Sequence, residues 1–213
     1  MTHDSRDPEY GGPLWVPLDA PDEDGVTTEQ AARALADGRR FDEAQATAFF
    51  RNRLKAGSIK PYGRSTTDGR RPYLFRKEQV LVAAVLRRLT ELGLTGIPVE
   101  VATSRLQHWR ADSRNPGRAE VGPGLPPPAE TPAARLWAEF ETGLPFYVAL
   151  HLRWVGRLGA TNCRAYLSLG DGEYFGQRPE DDTSPDPEQP VADLMVPISP
   201  LALVLVSRLA KAD

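Results

Sequence analysis

Apolar residues recur along the chain with two periods, and each period predicts a type of element. Ala31, Ala32, Leu35 and Ala36 fall on one side of a first helix. Thr27 or Thr28 is placed to cap it, Glu29 and Gln30 suit its first turn, and Gly38 ends it. A second helix starts at Asp42 and runs to about residue 56, with Gly57 as its terminator. Ala46, Phe50 and Leu54 repeat there at i, i+4 and i+8, which predicts burial. Gln45, Ala48, Asn52 and Lys55 line another side, with Arg51 adjacent. A third helix over residues 77–92 carries Leu81, Val85, Leu89 and Leu92 at helical spacing and stops at Gly93. A fourth covers residues 98–111, with Val101, Leu106 and Trp109 as its apolar members.

The second period is two. Residues 59–64 and 70–75 read as short strands bent by Pro61 and Pro72, with Ser65 to Gly69 as the turn and Asp68-Gly69 as its hairpin signal. Further on, a helix over 132–142 presents Leu136, Trp137 and Phe140. Strict alternation then sets Phe146, Val148, Leu150, Leu152 and Trp154 on one face, and Tyr147, His151 and Arg153 on the other. Cys163, Ala165, Leu167 and Leu169 alternate likewise, after a hairpin loop expected at 156–161. An acidic, proline-rich loop fills 170–190. A third strand covers 191–198, and Pro200 opens a final helix with Leu201, Leu203, Val204, Leu205 and Leu209.

These elements predict an α+β fold in four segments. Residues 1–25 form a flexible arm or a docking strand, rich in Pro, Gly and Asp. Residues 26–111 make a winged helix-turn-helix, mostly α with a β-wing. Residues 112–131 are a proline-rich linker. Residues 132–213 make a small α/β layer with one sheet face covered by helices, serving dimerisation or effector binding.

Composition narrows the partners. The net charge is -3, yet residues 39–77 hold eleven Lys or Arg against three acids, a local surplus of eight. A basic zone on an otherwise acidic chain points to a polyanion met by one face. The one cysteine, Cys163, excludes an internal disulfide framework and a multi-cysteine metal site. The N-terminus is polar and acidic, unlike a signal peptide, and the apolar run 201–206 is far shorter than a membrane span. The expectation is a cytoplasmic protein with no cofactor, no metal and no membrane partner.

Three short motifs carry a resemblance over residues 27–95. "RNRLKAGSI" supplies Arg51 and Gly57, "GRRPY" supplies Gly69, Arg71 and Tyr73, and "VLRRLTELGL" ends in Leu92-Gly93. This segment resembles the DNA-binding domain of MerR-type winged helix-turn-helix regulators. It departs from them in Asn52 and Arg53, which stand where the family has an aromatic pair, and in a longer wing between Lys60 and Gly69. The family's long dimerising helix has no counterpart, because apolar heptads do not continue past Trp109. The resemblance implies a bacterial or phage-derived, nucleoid-associated transcription regulator that binds double-stranded DNA as a homodimer.

On that reading the second helix enters the major groove with Gln45, Arg51, Asn52 and Lys55. Lys60, Tyr62, Arg64, Arg70, Arg71 and Tyr73 of the wing region hold the sugar-phosphate backbone. An effector or a protein partner would sit at the C-terminal domain. Two other readings use the same basic zone: an excisionase-like architectural protein that bends DNA, and a protein-interaction factor whose wing meets an acidic partner. His151, with Asp171, Glu173, Asp181 and Asp182 in one loop, is the nearest approach to a catalytic set. A lone strand histidine is more often structural, so no enzyme is expected.

Overall fold

The computed structural model describes residues 25–65, 71–108, 111–112, 115–119, 131–143, 147–157, 160–169, 174–175 and 189–210. They form a mixed α and β protein with small antiparallel sheets. The chain divides into two compact units, residues 1–83 with 207–213, and residues 84–206. The division falls inside α3 (Lys77–Glu91) and inside the last helix, α6 (Ser199–Leu209).

In the first unit, β1 (Val26–Thr27) leads directly into α1 (Thr28–Leu35). Thr27 closes a capping box: its hydroxyl accepts the Gln30 N–H at 3.2 Å, and Gln30 Oε1 accepts the Thr27 N–H at 2.9 Å. The helix ends at Leu35, before the glycine expected to stop it. Asp37 redirects the chain there, because its Oδ1 accepts the N–H groups of Arg39, Arg40 and Phe41 at 2.9, 2.8 and 3.0 Å. One carboxylate that satisfies three backbone donors makes a tight turn competitive with another turn of helix. Arg208 Nη1 donates to the carbonyls of Ala34, at 2.8 Å, and Ala36, which caps the C-terminal end of α1 with a cation.

The turn delivers Asp42 as the cap of α2 (Glu43–Lys55). A second capping box forms, with Gln45 N–H to Asp42 Oδ1 at 2.8 Å and Asp42 N–H to Gln45 Oε1 at 3.0 Å. At the far end Gly57 adopts φ 70, Gly57 N–H bonds Leu54 O, and Ser58 N–H bonds Arg53 O, both at 2.9 Å. That pair of bonds is the Schellman ending, and its left-handed residue is the reason glycine stands at 57.

Two further strands, β2 (Gly63–Arg64) and β3 (Tyr73–Phe75), complete an antiparallel sheet of order β1-β3-β2. Val26 faces Phe75, Gly63 faces Leu74 and Arg64 faces Tyr73. The strands are shorter than the expected 59–64 and 70–75. Pro61 and Pro72 have no N–H to offer, so the regular ladder stops at them. Of the turn expected at 65–69, residues 66–69 lie outside the described residues. Phe50 packs edge-on against Phe75, centroids 4.9 Å apart and planes at 87°, with Ala46, Leu54 and Ile59 also buried.

In the second unit, α3 closes at Gly93 (φ 79), and α4 (Ile97–Gln107) follows with Pro98 in its first turn. This helix ends four residues short of the expected 111, and Trp109 lies outside the described residues. β4 (Ala111–Asp112) and β5 (Asn115–Ala119) pair as a two-stranded ribbon at the start of the segment expected as linker. Residues 120–130 are outside the described set. α5 (Pro132–Glu141) begins at Thr131, whose hydroxyl accepts the Ala134 N–H at 3.1 Å.

A four-stranded antiparallel sheet follows, of order β8-β7-β6-β9: β6 (Val148–Arg157), β7 (Ala160–Leu169), β8 (Tyr174–Phe175) and β9 (Gln189–Pro197). The loop expected at 156–161 is a correction. Gly156 pairs with Thr161 and Arg157 with Ala160, so most of that stretch is strand. Cross-strand pairing at Gly156 outweighs its local turn preference. Val148, Leu150, Leu152, Leu167 and Val196 are buried on one face, where α4 packs on β7 and β6 and also meets α5. Ser199, ahead of the Pro200 expected to open α6, accepts the Val148 N–H on its hydroxyl at 2.7 Å.

Two substitutions test the first unit. Phe50→Ala lowers unfolding free energy by about 3–5 kcal/mol, since it empties a fully buried site. Asp42→Ala costs about 1 kcal/mol through the lost cap. Urea denaturation followed by circular dichroism separates the two magnitudes.

Candidate nucleic-acid interface

The site is built outward from α2. At 100° per residue, burial of Ala46, Phe50 and Leu54 turns a strip of about 120° to solvent on the opposite side. Ala44, Gln45, Ala48, Arg51, Asn52 and Lys55 occupy that strip, and all are exposed. It contains no acid. The two carboxylates of the helix lie elsewhere: Asp42 is committed to the cap, and Glu43 sits 3.8 Å from Arg33 of α1. Both stand at the helix N-terminus, where the helix dipole favours negative charge. The strip is therefore short-chained at Ala44 and Ala48, amide-bearing at Gln45 and Asn52, and cationic at Arg51 and Lys55.

Of these, Gln45 has a second task, because its carbonyl oxygen closes the capping box. Its side-chain nitrogen is the end that the capping box does not use. Arg53 differs from its neighbours on α2. Its guanidinium stands 4.9 Å over the Phe49 ring, it is half-buried, and burial lowers its pKa from the ordinary value. Arg53 thus belongs to the packing of the helix rather than to its exposed strip.

The β2–β3 pair places the other expected residues. Arg64 and Tyr73 lie directly opposite each other across the ladder. The Arg64 guanidinium stacks 4.2 Å over the Tyr73 ring, donates to the Tyr73 hydroxyl at 2.9 Å, and reaches the Arg71 carbonyl at 3.3 Å. Tyr73 is buried, so its ring serves as a shelf that holds the arginine. Tyr62 is half-buried, its N–H bonds the Leu74 carbonyl at 2.9 Å, and Arg76 lies 5.8 Å over its ring. Lys60 is exposed while its backbone N–H is fixed by Gln79 Oε1 at 3.0 Å. Arg70 lies outside the described residues.

Arg71 is exposed and has φ 47, the one non-glycine residue with positive φ among those described. A side chain in the left-handed region costs about 1–2 kcal/mol relative to glycine.

Two arginines escaped the expected interface. Arg39 and Arg40 stand exposed in the Asp37 turn immediately before the α2 cap. Their signal was present in the charge count, but the turn that presents them depends on a side-chain to backbone network that charge does not reveal.

In the second unit, His151 projects from the sheet face opposite the buried one. Its Nε2 is 2.7 Å from Ser168 Oγ, its Nδ1 is 3.5 Å from Asp193 Oδ1, and its ring stacks on Tyr166 at 4.6 Å with an 8° tilt. The loop acids weighed as its partners, Asp171, Glu173, Asp181 and Asp182, lie outside the described residues. Cys163 lies opposite Trp154 on the apolar side of β7, and burial pushes its thiol pKa up, away from a reactive thiolate. Among the described residues no group of His, Cys, Asp and Glu is placed to hold a metal ion, and no helix is long and apolar enough to cross a membrane.

Compared with known proteins, the chain matches no family model and no curated protein. Its site must therefore be read from its own residues.

Arg71→Gly relieves the left-handed strain and raises unfolding free energy by about 1 kcal/mol, measured by urea denaturation. Arg71→Ala, which keeps the strain, produces no such gain.

Proposed function

We propose that this protein is a sequence-specific regulator that binds duplex DNA through α2 and the β2–β3 wing, in the manner of MerR-type winged helix-turn-helix domains. The observation that carries the reading is the exposed strip of α2. It is free of acid, lies opposite a buried apolar stripe, and combines cations with amides beside two alanines. A major groove about 12 Å wide admits such a helix, and small side chains let its backbone approach the bases. Asn52 and Gln45 suit adenine, while Arg51 and Lys55 suit guanine or phosphate.

The wing supplies the sequence-independent part. Arg64, held on Tyr73, and Arg71, held at a left-handed backbone position, meet phosphates, with Lys60 alongside. Tyr62 and Tyr73 are half-buried and buried respectively, and act by carrying Arg76 and Arg64 on their rings. One helix reads only a few base pairs, so a homodimer on two half-sites about 34 Å apart gives the needed specificity. The acidic balance of the rest of the chain then restricts contact with DNA to this one region.

The experiment is a salt titration of binding to duplex DNA. Arg64→Ala with Arg71→Ala weakens binding on specific and random duplexes alike, and lowers the slope of log affinity against log salt by about one per lost phosphate contact. Asn52→Ala lowers affinity by about 1–3 kcal/mol on the preferred site and leaves random duplex nearly unaffected. Equal affinity and salt slope in the wing variant defeat the wing assignment.

A further inference from the structure

The outward face of the C-terminal sheet carries an arrangement that the DNA reading leaves unused. His151 on β6, Ser168 on β7 and Asp193 on β9 come from three adjacent strands and meet side by side. The electrostatics set their proton order. A neutral imidazole carries one N–H, and Asp193 Oδ1 faces Nδ1 at 3.5 Å. A bare Nδ1 lone pair would face that carboxylate with like sign, so the proton sits on Nδ1. Nε2 is then the acceptor, and the Ser168 hydroxyl donates to it at 2.7 Å.

The orienting group is itself anchored. Asp193 Oδ2 accepts from Arg153 Nη2 at 3.0 Å and from the Tyr166 hydroxyl at 2.9 Å. The Tyr166 ring fixes the imidazole from below by flat stacking. Nδ1 is buried and short of a full hydrogen bond among the described residues, leaving the contact to tighten when the ring gains a second proton. His151 keeps 17% and Asp193 36% of side-chain exposure, so the group is open to a solute at the sheet face.

We propose that Ser168 is a nucleophile, with His151 as its general base and Asp193 as the residue that positions His151, acting on carboxylic esters. Ser168 Oγ bonds to the acyl carbon as the ester C–O bond breaks. The hydroxyl proton passes to His151 Nε2 and from there to the departing alkoxide. Water, losing its proton to the same nitrogen, then splits the acyl-serine into a carboxylic acid and free Ser168. No oxidant, reductant or metal enters the balance.

The test uses the full chain without DNA. Incubation with an alkyl fluorophosphonate is expected to give one phosphonyl adduct, mapped by peptide mass spectrometry to Ser168, and p-nitrophenyl acetate is expected to release nitrophenolate. His151→Gln slows both reactions by about 100-fold or more, and Asp193→Asn slows them by about 10-fold or more, in proteins whose thermal unfolding matches the parent. Ser104→Ala, at an exposed position of α4, labels at the parent rate. The proposal is overturned if the parent protein carries no adduct on Ser168, or if a folded His151→Gln labels as fast as the parent. Should the variants fail to fold, the site of the adduct on the parent alone decides.

Discussion

The contact between Phe50 and Phe75 governs the first unit. It sets the roll of α2, because the ring that enters the core fixes which strip of the helix faces out. It also fastens α2 to β3, the strand that carries Tyr73 and, through it, Arg64. Both rings are fully buried, so the joint has few alternative packings. The α2 strip and the β2–β3 pair are thus placed by one hydrophobic joint, while the polar groups around it supply ends and turns. The capping box at Asp42 and the glycine at 57 set where the helix starts and stops, and neither sets its rotation.

Charge then acts on a surface that packing has already oriented. The acids of α2 are confined to its N-terminus, where the dipole and Arg33 receive them. Cations at Arg51 and Lys55 are left on the outward strip without carboxylates among them. Not every basic residue in the stretch joins this pattern. Arg53 is drawn onto Phe49 by its aliphatic stem and flat guanidinium, which a charge count cannot anticipate.

Local chemistry made the helices readable. Thr27, Asp42, Gly57, Gly93 and the i, i+4 apolar rows each act within a few residues, and the observed α1, α2, α3 and α5 follow them closely. Alternation likewise exposed the two faces of β6 and β7. What escaped were features made by distant residues. β1 is two residues long and exists only through its pairing with Phe75 and Leu74. The stretch at 156–161 reads as a loop from its glycines, yet Gly156, Arg157, Ala160 and Thr161 pair across the ladder. Ser168 and Asp193 lie 17 and 42 residues from His151, and only the register of three strands brings them together. The eight residues between β2 and β3, expected to complete a wing, include 66–70, outside the described set, so Arg70 gains no placement.

The central claim is that α2 and the β2–β3 pair meet duplex DNA and read it. Repeated selection of bound sites from a pool of random duplexes, with the full chain at low salt, tests this most directly. The account predicts enrichment of a short motif that recurs as an inverted repeat, one copy for each α2 of a dimer. A pool that stays random after several rounds, with no duplex retained even at low salt, contradicts it.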